Sequence, residues 1–181
     1  MVKKTLYHGS TTNFDNIDVN KGKGYKDFGK GFYMYEIRQY SERMAIRNKN
    51  IEISRLSKLN KPTSNISAYL YTFEVDFEEL KKRYAVRIFA EADIEWVKFI
   101  LSNRASKSKS HNYDIVVGAT ADDDTRLCLD AYNAGAYGKK GSNSALEALV
   151  KHLEVGNLPK QYYFGSNEVI NFFTRKGMVK L

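Results

Sequence analysis

From Ser67 the side-chain pattern changes to a period of two residues, which runs to Phe77. Successive side chains of a strand point to opposite faces of its sheet, so this alternation predicts a β-strand with one buried face. The apolar positions are Tyr69, Tyr71, Phe73, Val75 and Phe77, and the polar positions are Thr72, Glu74 and Asp76. A chain with such a strand needs further strands to pair with it.

The other predicted elements mix strands and helices without a regular β-α-β order. Short strands are predicted at residues 5–7, 32–36, 113–117 and 160–164. Helices are predicted at 38–48, 92–103 and 124–134, at 144–156 after a capping box, and from a capping Ser166 to Arg175. We therefore predict a single α+β domain spanning residues 1–181.

The composition constrains partners and location. The formal net charge of +8 favours a polyanionic partner, with nucleic acid or an acidic protein first, although a basic solvated surface fits the same number. No apolar run of about 18 residues or signal peptide is present, so no membrane association is predicted. A single cysteine, Cys128, excludes an internal disulfide and favours a reducing, cytoplasmic location.

Two glycine-containing motifs attract attention, YHGS at residues 7–10 and DFGKGFYMY at 27–35. Glycine in a strand marks a bulge or a place where a ligand approaches the backbone closely. The aromatic residues beside it belong to the core or form the wall of a binding site. His8 leaves a predicted strand at a turn, where its side chain either bonds locally or faces a cleft. The segment 29–31 matches neither the phosphate-binding loop nor the dinucleotide-binding glycine triplet.

Together, YHGSTTNF and DFGKGFYMYEIRQYSERMA resemble the NAD-binding half of the ADP-ribosyltransferases, in their poly(ADP-ribose)-polymerase-like and diphtheria-toxin-like branch. More narrowly, the chain is similar to a bacterial family of uncharacterised ADP-ribosyltransferase-like proteins, through IVVGATADD at 115–123 and a late strand with Gln161 before an aromatic residue. The resemblance covers roughly residues 5–48 and 113–173. It implies a split mixed β-sheet core with flanking helices.

The same resemblance implies a function. The protein would be an NAD-dependent mono-ADP-ribosyltransferase, a glycosyltransferase that moves ADP-ribose from NAD to a protein or nucleic-acid acceptor. It would act as a toxin-like effector, for which a neutralising partner protein is a candidate partner. Two other hypotheses stay open: a degenerate module that binds NAD, ADP-ribose or nucleic acid without turnover, and a basic interaction domain in which the motifs are only core.

The resemblance also assigns residues to NAD. His8 would donate a hydrogen bond to a ribose hydroxyl on the adenosine side, and the backbone of Gly9 would pair with the nicotinamide carboxamide. The Tyr33 ring would stack on nicotinamide, and the Ser41 hydroxyl would bind the carboxamide oxygen. Met44 stands where a second stacking aromatic is usual. The predicted NAD-binding residues are His8, Gly9, Ser10, Gly31, Phe32, Tyr33, Ser41 and Met44.

Gln161 stands where the resemblance places a catalytic glutamate. Positive charge develops on the ribose as its bond to nicotinamide breaks. A carboxylate about 5 Å away, at an effective dielectric near 20, contributes roughly 3 kcal/mol, or about a hundredfold in rate. Glutamine keeps a hydrogen bond but loses that charge. The predicted catalytic residues are His8, Tyr33, Gln161 and Asp123.

Asp123 enters this set as a substitute acid. The three aspartates at 122–124 either cap a helix or place one carboxylate, that of Asp123, in the cleft. No other acidic ligands lie near them in the sequence, and the three histidines lack partners at zinc-ligand spacing. We therefore predict no metal site.

Overall fold

The computed structural model of the protein describes residues 3–121, 123–153 and 159–181. Within these residues, seven strands pair into one sheet and six α-helices accompany it, which confirms the predicted α+β class. The strands are β1 (Lys4–Ser10), β2 (Phe32–Tyr35), β3 (Tyr69–Val75), β4 (Val86–Ile88), β5 (Ile115–Ala119), β6 (Lys160–Phe164) and β7 (Phe173–Lys180). The helices are α1 (Arg38–Lys58), α2 (Phe77–Arg83), α3 (Ile94–Arg104), α4 (Asp123–Asn133), α5 (Asn143–His152) and α6 (Asn167–Ile170).

The sheet has the strand order β4-β5-β6-β2-β1-β3-β7. The β4–β5 pair is parallel and every other pair is antiparallel, so the sheet is mixed. β1 pairs with β3 along its whole length, from Lys4 to Ser10. By contrast, β1 and β2 share only the pair Tyr7–Tyr35. We call this junction the seam, because it separates β4-β5-β6-β2 from β1-β3-β7.

Two apolar clusters cover the two faces of the sheet. Alternate residues of β6 divide between them: Tyr162 and Phe164 belong to one cluster and Tyr163 to the other. The second cluster also contains Trp96, which is fully buried and donates its indole N–H to the Ala119 carbonyl over 3.2 Å. The middle of the chain therefore contributes to the core with Trp96.

The alternation that predicts β3 is confirmed from Tyr71 to Val75, because Tyr71, Phe73 and Val75 are buried while Thr72 and Glu74 are half-buried; before it, Tyr69 is half-buried and Leu70 is buried. Phe77 does not continue the strand, however. It begins α2, whose N-cap is Asp76, a residue whose carboxylate accepts the Glu79 N–H. Neither α2 nor the three-residue strand β4 was predicted, and α1 extends ten residues beyond the predicted end at 48.

The C-terminal prediction is wrong. Ser166 does cap a helix, but α6 ends at Ile170, and Phe173–Lys180 is an edge strand paired with β3. Pairing with the open edge of β3 outweighs the local helical pattern. The cap of α5 is also shifted, since Ser142 rather than Ser144 accepts the N–H of Ala145. The predicted end of that helix at 156 lies outside the described residues.

Candidate active site

A cleft of about 800 Å³ lies where β1 meets β2. Its volume falls within the range of small-molecule sites, about 300–1,000 Å³. The end of β1, the loop before β2, β2 itself, the start of β6 and one side of α1 contribute to its walls. Of the residues predicted for the site, it brings together His8, Gly9, Ser10, Gly31, Tyr33, Met44 and Gln161.

Strand pairing explains why residues so distant in sequence converge. Tyr35 pairs with Gln161 across β2 and β6, and pairs with Tyr7 across the seam. Tyr33 and Tyr35 are two residues apart and share a face of β2. Gln161 is therefore placed beside the tyrosines, and the end of β1, with His8, lies next to them.

Of the other predicted residues, Ser41 and Phe32 are described by the structure, and neither belongs to the cleft lining. Ser41 is fully buried, and its Oγ donates to the Tyr7 carbonyl over 3.1 Å. Phe32 points into the core and stacks on the His8 ring at 4.2 Å, so it supports His8 from behind. The side chain of Asp123, like all of residue 122, lies outside the described residues. Its predicted role stays a prediction.

His8 is held in one tautomer. Its Nδ1 lies 2.7 Å from the Tyr33 carbonyl oxygen, which can only accept, so Nδ1 carries the proton. Desolvation by burial lowers the pKa of the ring to about 4, and the hydrogen bond to Tyr33 opposes this shift only partly. The ring is therefore neutral at pH 7 and Nε2 is an acceptor. This reverses the predicted direction, in which His8 donates to a ribose hydroxyl.

Tyr33 is fixed by the loop that precedes β2. Its hydroxyl donates to the Gly29 carbonyl over 2.6 Å and accepts the Phe28 N–H over 3.1 Å. Its ring packs edge-to-face on Tyr163 at 5.3 Å. Desolvation by burial raises the pKa of the phenol, so it is neutral. Because the hydroxyl is occupied, the contact that Tyr33 offers a ligand is its ring.

Asp27 is the cleft residue that the sequence did not reveal. Its Oδ2 accepts from Gln161 Nε2 over 2.7 Å and from the Ala121 N–H over 3.0 Å. Its Oδ1 accepts from Arg104 Nε over 2.8 Å. Gln161 Nε2 also donates to the Ala119 carbonyl over 3.2 Å. Both partners of Nε2 are acceptors, so the orientation of the Gln161 amide is determined, and Oε1 is left as the acceptor for a ligand.

The carboxylate that contacts Gln161 therefore comes from the loop before β2. Asp27 opens the DFGKGFYMY motif, 134 residues before Gln161. Asp27 directly precedes Phe28, which is fully buried. An acid next to a core residue in the sequence was the available signal. Nothing local in the sequence names Arg104 or Gln161 as partners.

The cleft is rich in positive charge. Among the residues that the structure describes, its lining contains two carboxylates, Asp27, which pairs with Arg104, and Glu52, which pairs with Arg55. Desolvation lowers the pKa of Lys26; Asp27 opposes this shift, and the charges of Lys23, Arg104 and Arg47 add smaller contributions to it. Cations grouped in one cleft favour an anionic ligand. The cationic residues of the lining are Lys21, Lys23, Lys26, Arg47, Arg104 and Arg126.

The segment from Arg104 to His111 holds the loop that carries these lysines. The Tyr25 N–H donates to the Ser106 carbonyl and the Lys30 N–H to the Ser108 carbonyl, each over 2.9 Å. The Nε2 of His111 donates to the Phe28 carbonyl over 2.9 Å. This part of the chain, whose role the sequence left open, therefore positions one wall of the cleft.

Two glycines are required by packing within the protein. A Cβ at Gly9 would lie 2.2 Å from the Ser41 carbonyl oxygen, because α1 crosses β1 at this point. A Cβ at Gly31 would lie 2.3 Å from the Tyr163 ring. The close approach of a ligand, which the resemblance implies at Gly9, is thus not the only reason for glycine there.

Other features of the described chain are simpler. Among residues 3–121, 123–153 and 159–181, no group of three His, Cys, Asp or Glu side chains could hold a metal ion. Every helix in those ranges is too short or too polar to cross a lipid bilayer.

Fold and site together define an α+β protein with a cationic cleft at a seam in its sheet. Residues 4–174 match the family of proteins of unknown function DUF3990, and the chain belongs to that family. Comparison with the curated proteins gave no match, and neither did comparison with the solved structures.

Proposed function

We propose that the protein is an NAD-dependent mono-ADP-ribosyltransferase. The observation that carries the proposal is the convergence of His8, Tyr33 and Gln161, from three neighbouring strands, on one cleft. They reach that cleft from positions up to 153 residues apart in the sequence, since residues 8 and 161 mark its extremes. The volume of the cleft and its excess of cations suit a dinucleotide, which has a flat ring system at each end and an anionic diphosphate between them.

The form of the sheet supports the same proposal. The resemblance to ADP-ribosyltransferases implies a split mixed sheet, and here a single residue pair joins the two halves. The cleft lies beside that seam. A ligand in the cleft would contact both halves.

In this proposal the cations of the loop at 21–26 and Arg47 hold the diphosphate. Tyr33 offers its ring to nicotinamide, and His8 Nε2 accepts a hydrogen bond from a ribose hydroxyl. Gln161 Oε1 accepts from the 2′-hydroxyl of the other ribose. The bond from C1′ to the nicotinamide nitrogen breaks with its electron pair leaving on nicotinamide. The acceptor nucleophile then bonds to C1′ and releases its proton to solvent.

Asp27 acts in this scheme as a positioning residue. It holds Gln161 Nε2 at 2.7 Å, which directs Oε1 away from the carboxylate. Its negative charge also lies directly behind the amide, where it polarises Oε1 towards the developing positive charge. The Asp27–Gln161 pair thereby restores part of the electrostatic effect that a glutamate would supply alone.

A binding module without turnover is the second candidate, and one observation favours it. Arg104 contacts Asp27 through both Nε and Nη2 at 2.8 Å, so the carboxylate behind Gln161 is already neutralised. If Arg104 cancels the effect of the Asp27 charge at the position of the ribose, the cleft would bind NAD or ADP-ribose and leave the glycosidic bond intact.

The decisive experiment measures NAD binding and nicotinamide release on the same preparation. Calorimetric titration with NAD should show saturable binding that His8→Ala and Tyr33→Ala each weaken, whereas Tyr84→Ala, outside the cleft lining, should not. Incubation with NAD labelled in the nicotinamide should release the label. Binding without release identifies the module; the absence of saturable binding with NAD and, in a second titration, with ADP-ribose removes both candidates.

A further inference from the structure

One side of α1 carries a basic stripe. Its members recur at intervals of three and four residues, so they lie on one face of the helix. They are Arg43, Ile46, Arg47, Asn50, Ile51, Ser54, Arg55 and Lys58. At a rise of 1.5 Å per residue the stripe is about 22 Å long.

The stripe is open to solvent along its whole length. All eight of its residues are exposed, and no side chain between Ile46 and Lys58 is buried. Ile46 and Ile51 are 46% and 53% exposed. Single exposed apolar residues are common, but here two of them alternate with cations on the outward side of one helix.

The stripe is continuous with the cleft. Arg47 and Ile51 belong to both linings, whereas Arg43, Arg55 and Lys58 belong to the stripe alone. A long ligand lying on the stripe therefore leads into the space between His8 and Gln161.

Charge and side-chain type identify the ligand. The stripe has four cations and no acid of its own, although Glu52 pairs with Arg55 over 2.6 Å. Three of the four cations are arginines, which bind phosphate in a bidentate manner and also stack on flat rings. Apolar side chains between such arginines gain contact from the faces of unpaired bases, which a double helix conceals.

We propose that this stripe binds single-stranded nucleic acid and leads it into the cleft as the acceptor of ADP-ribose. Strand binding stands on the stripe itself, while the acceptor role rests on the proposed function. In the transfer, a nucleophilic oxygen or nitrogen of the strand bonds to C1′ and loses its proton to solvent, as nicotinamide leaves with the bonding pair.

The test compares two triple variants with the same change in charge. Arg43→Gln/Arg55→Gln/Lys58→Gln removes the cations that belong to the stripe alone. The control Lys81→Gln/Lys82→Gln/Lys98→Gln removes three cations that line neither the stripe nor the cleft. Fluorescence anisotropy with a labelled 20-nucleotide strand of mixed sequence, as DNA and as RNA, measures affinity over a series of salt concentrations. Nicotinamide release without oligonucleotide is measured on all three proteins.

We expect the stripe variant to bind the strand about tenfold more weakly. The negative slope of log K against log salt should become shallower by about 2, or 0.7 for each lost phosphate contact. The control should change neither quantity, and basal nicotinamide release should be equal in all three proteins. Label from NAD carrying a labelled adenosine should move to the strand and be released by nuclease.

Other results would overturn the inference. Equal weakening in both variants would show a general charge effect, and label released by protease but not by nuclease would make the acceptor a protein. A dimer in sedimentation that the stripe variant alone dissociates would identify a second copy as the occupant. Stripe-dependent strand binding without any nicotinamide release would leave the binding surface in place and overturn the enzymatic function.

Discussion

The two ends of the cleft hold their key side chains in different ways. At one end, His8 makes one hydrogen bond and stacks on Phe32, and desolvation keeps it neutral. At the other end, Gln161 belongs to a network with Asp27 and Arg104, in which charges are paired and the amide protons are occupied. Burial therefore keeps His8 neutral at one end, whereas hydrogen bonds and an ion pair fix Gln161 at the other. The two ends should respond differently to substitution and to pH.

The largest effect should come from breaking the pairing. In Asp27→Ala the guanidinium of Arg104 and the amide of Gln161 lose their common acceptor, which should lower the free energy of unfolding by about 3 kcal/mol. Urea denaturation measures the loss. The exposed Asp15→Ala should change it by less than about 0.5 kcal/mol. Equal stability of the two variants would mean that the network is only a surface contact.

Gln161→Glu should disturb the same end by placing a second carboxylate against Asp27. We expect a loss of about 2 kcal/mol at pH 7 that shrinks towards pH 5, where the new carboxyl is protonated. In the double variant Asp27→Asn/Gln161→Glu the hydrogen bond returns with donor and acceptor exchanged, since the amide at 27 now donates to the carboxylate at 161. If the proposed function is right, its rate of nicotinamide release should exceed that of the wild type by up to about a hundredfold. A double variant as unstable as the single one would contradict the geometry.

The pH response should distinguish the His8 end. The pKa of His8 is about 4 in the folded protein and near 6.5 in the unfolded chain, so the unfolded state binds more protons between those values. The free energy of unfolding should therefore fall by about 1.5 kcal/mol, from this group alone, as pH drops from 6.5 to 5. Burial lowers the pKa of His111 as well, which adds a fall of the same sign.

His8→Phe isolates the first contribution, because phenylalanine keeps a ring against Phe32 and cannot be protonated. Its stability should vary less with pH than that of the wild type over this range, in denaturation series at each pH. Parallel curves for the two proteins would show that His8 is not desolvated.

The smallest effect should come from Tyr33→Phe, which removes the hydroxyl and keeps the ring. The Gly29 carbonyl and the Phe28 N–H lose their partner, which should cost about 1 kcal/mol. Under the proposed function, the affinity for NAD should change less than threefold, while Tyr33→Ala should weaken it at least tenfold. Tyr84→Phe, remote from the cleft lining, is the matched control for stability.

The local sequence pattern was sufficient to predict a strand where the residues of that strand alone define its ends. The strands predicted at 32–36 and 160–164 are observed at Phe32–Tyr35 and Lys160–Phe164. It failed at Phe173–Lys180, because a strand with seven of eight residues exposed shows no alternation and is defined by the open edge of β3. It also failed for the extension of α1, where exposed residues leave no apolar period to read.

The site divides in the same way. His8, Tyr33 and Gln161 each lie in a short motif with a recognisable neighbour, so the sequence could single them out as candidates. Asp27 and Arg104 are 77 residues apart, and they become a pair only when the loop before β2 packs against the end of α3. Contacts of this kind depend on the folded path of the chain, which no window of sequence contains.

The seam has a thermodynamic consequence for whatever enters the cleft. Since one backbone pair joins the two halves of the sheet, their relative angle depends on side-chain contacts across the seam, such as the stacking of His8 on Phe32. A ligand that contacts both halves restricts that angle, and the lost conformational entropy is subtracted from its affinity. A crosslink that stiffened the seam in the bound geometry would tighten binding without adding any contact to the ligand.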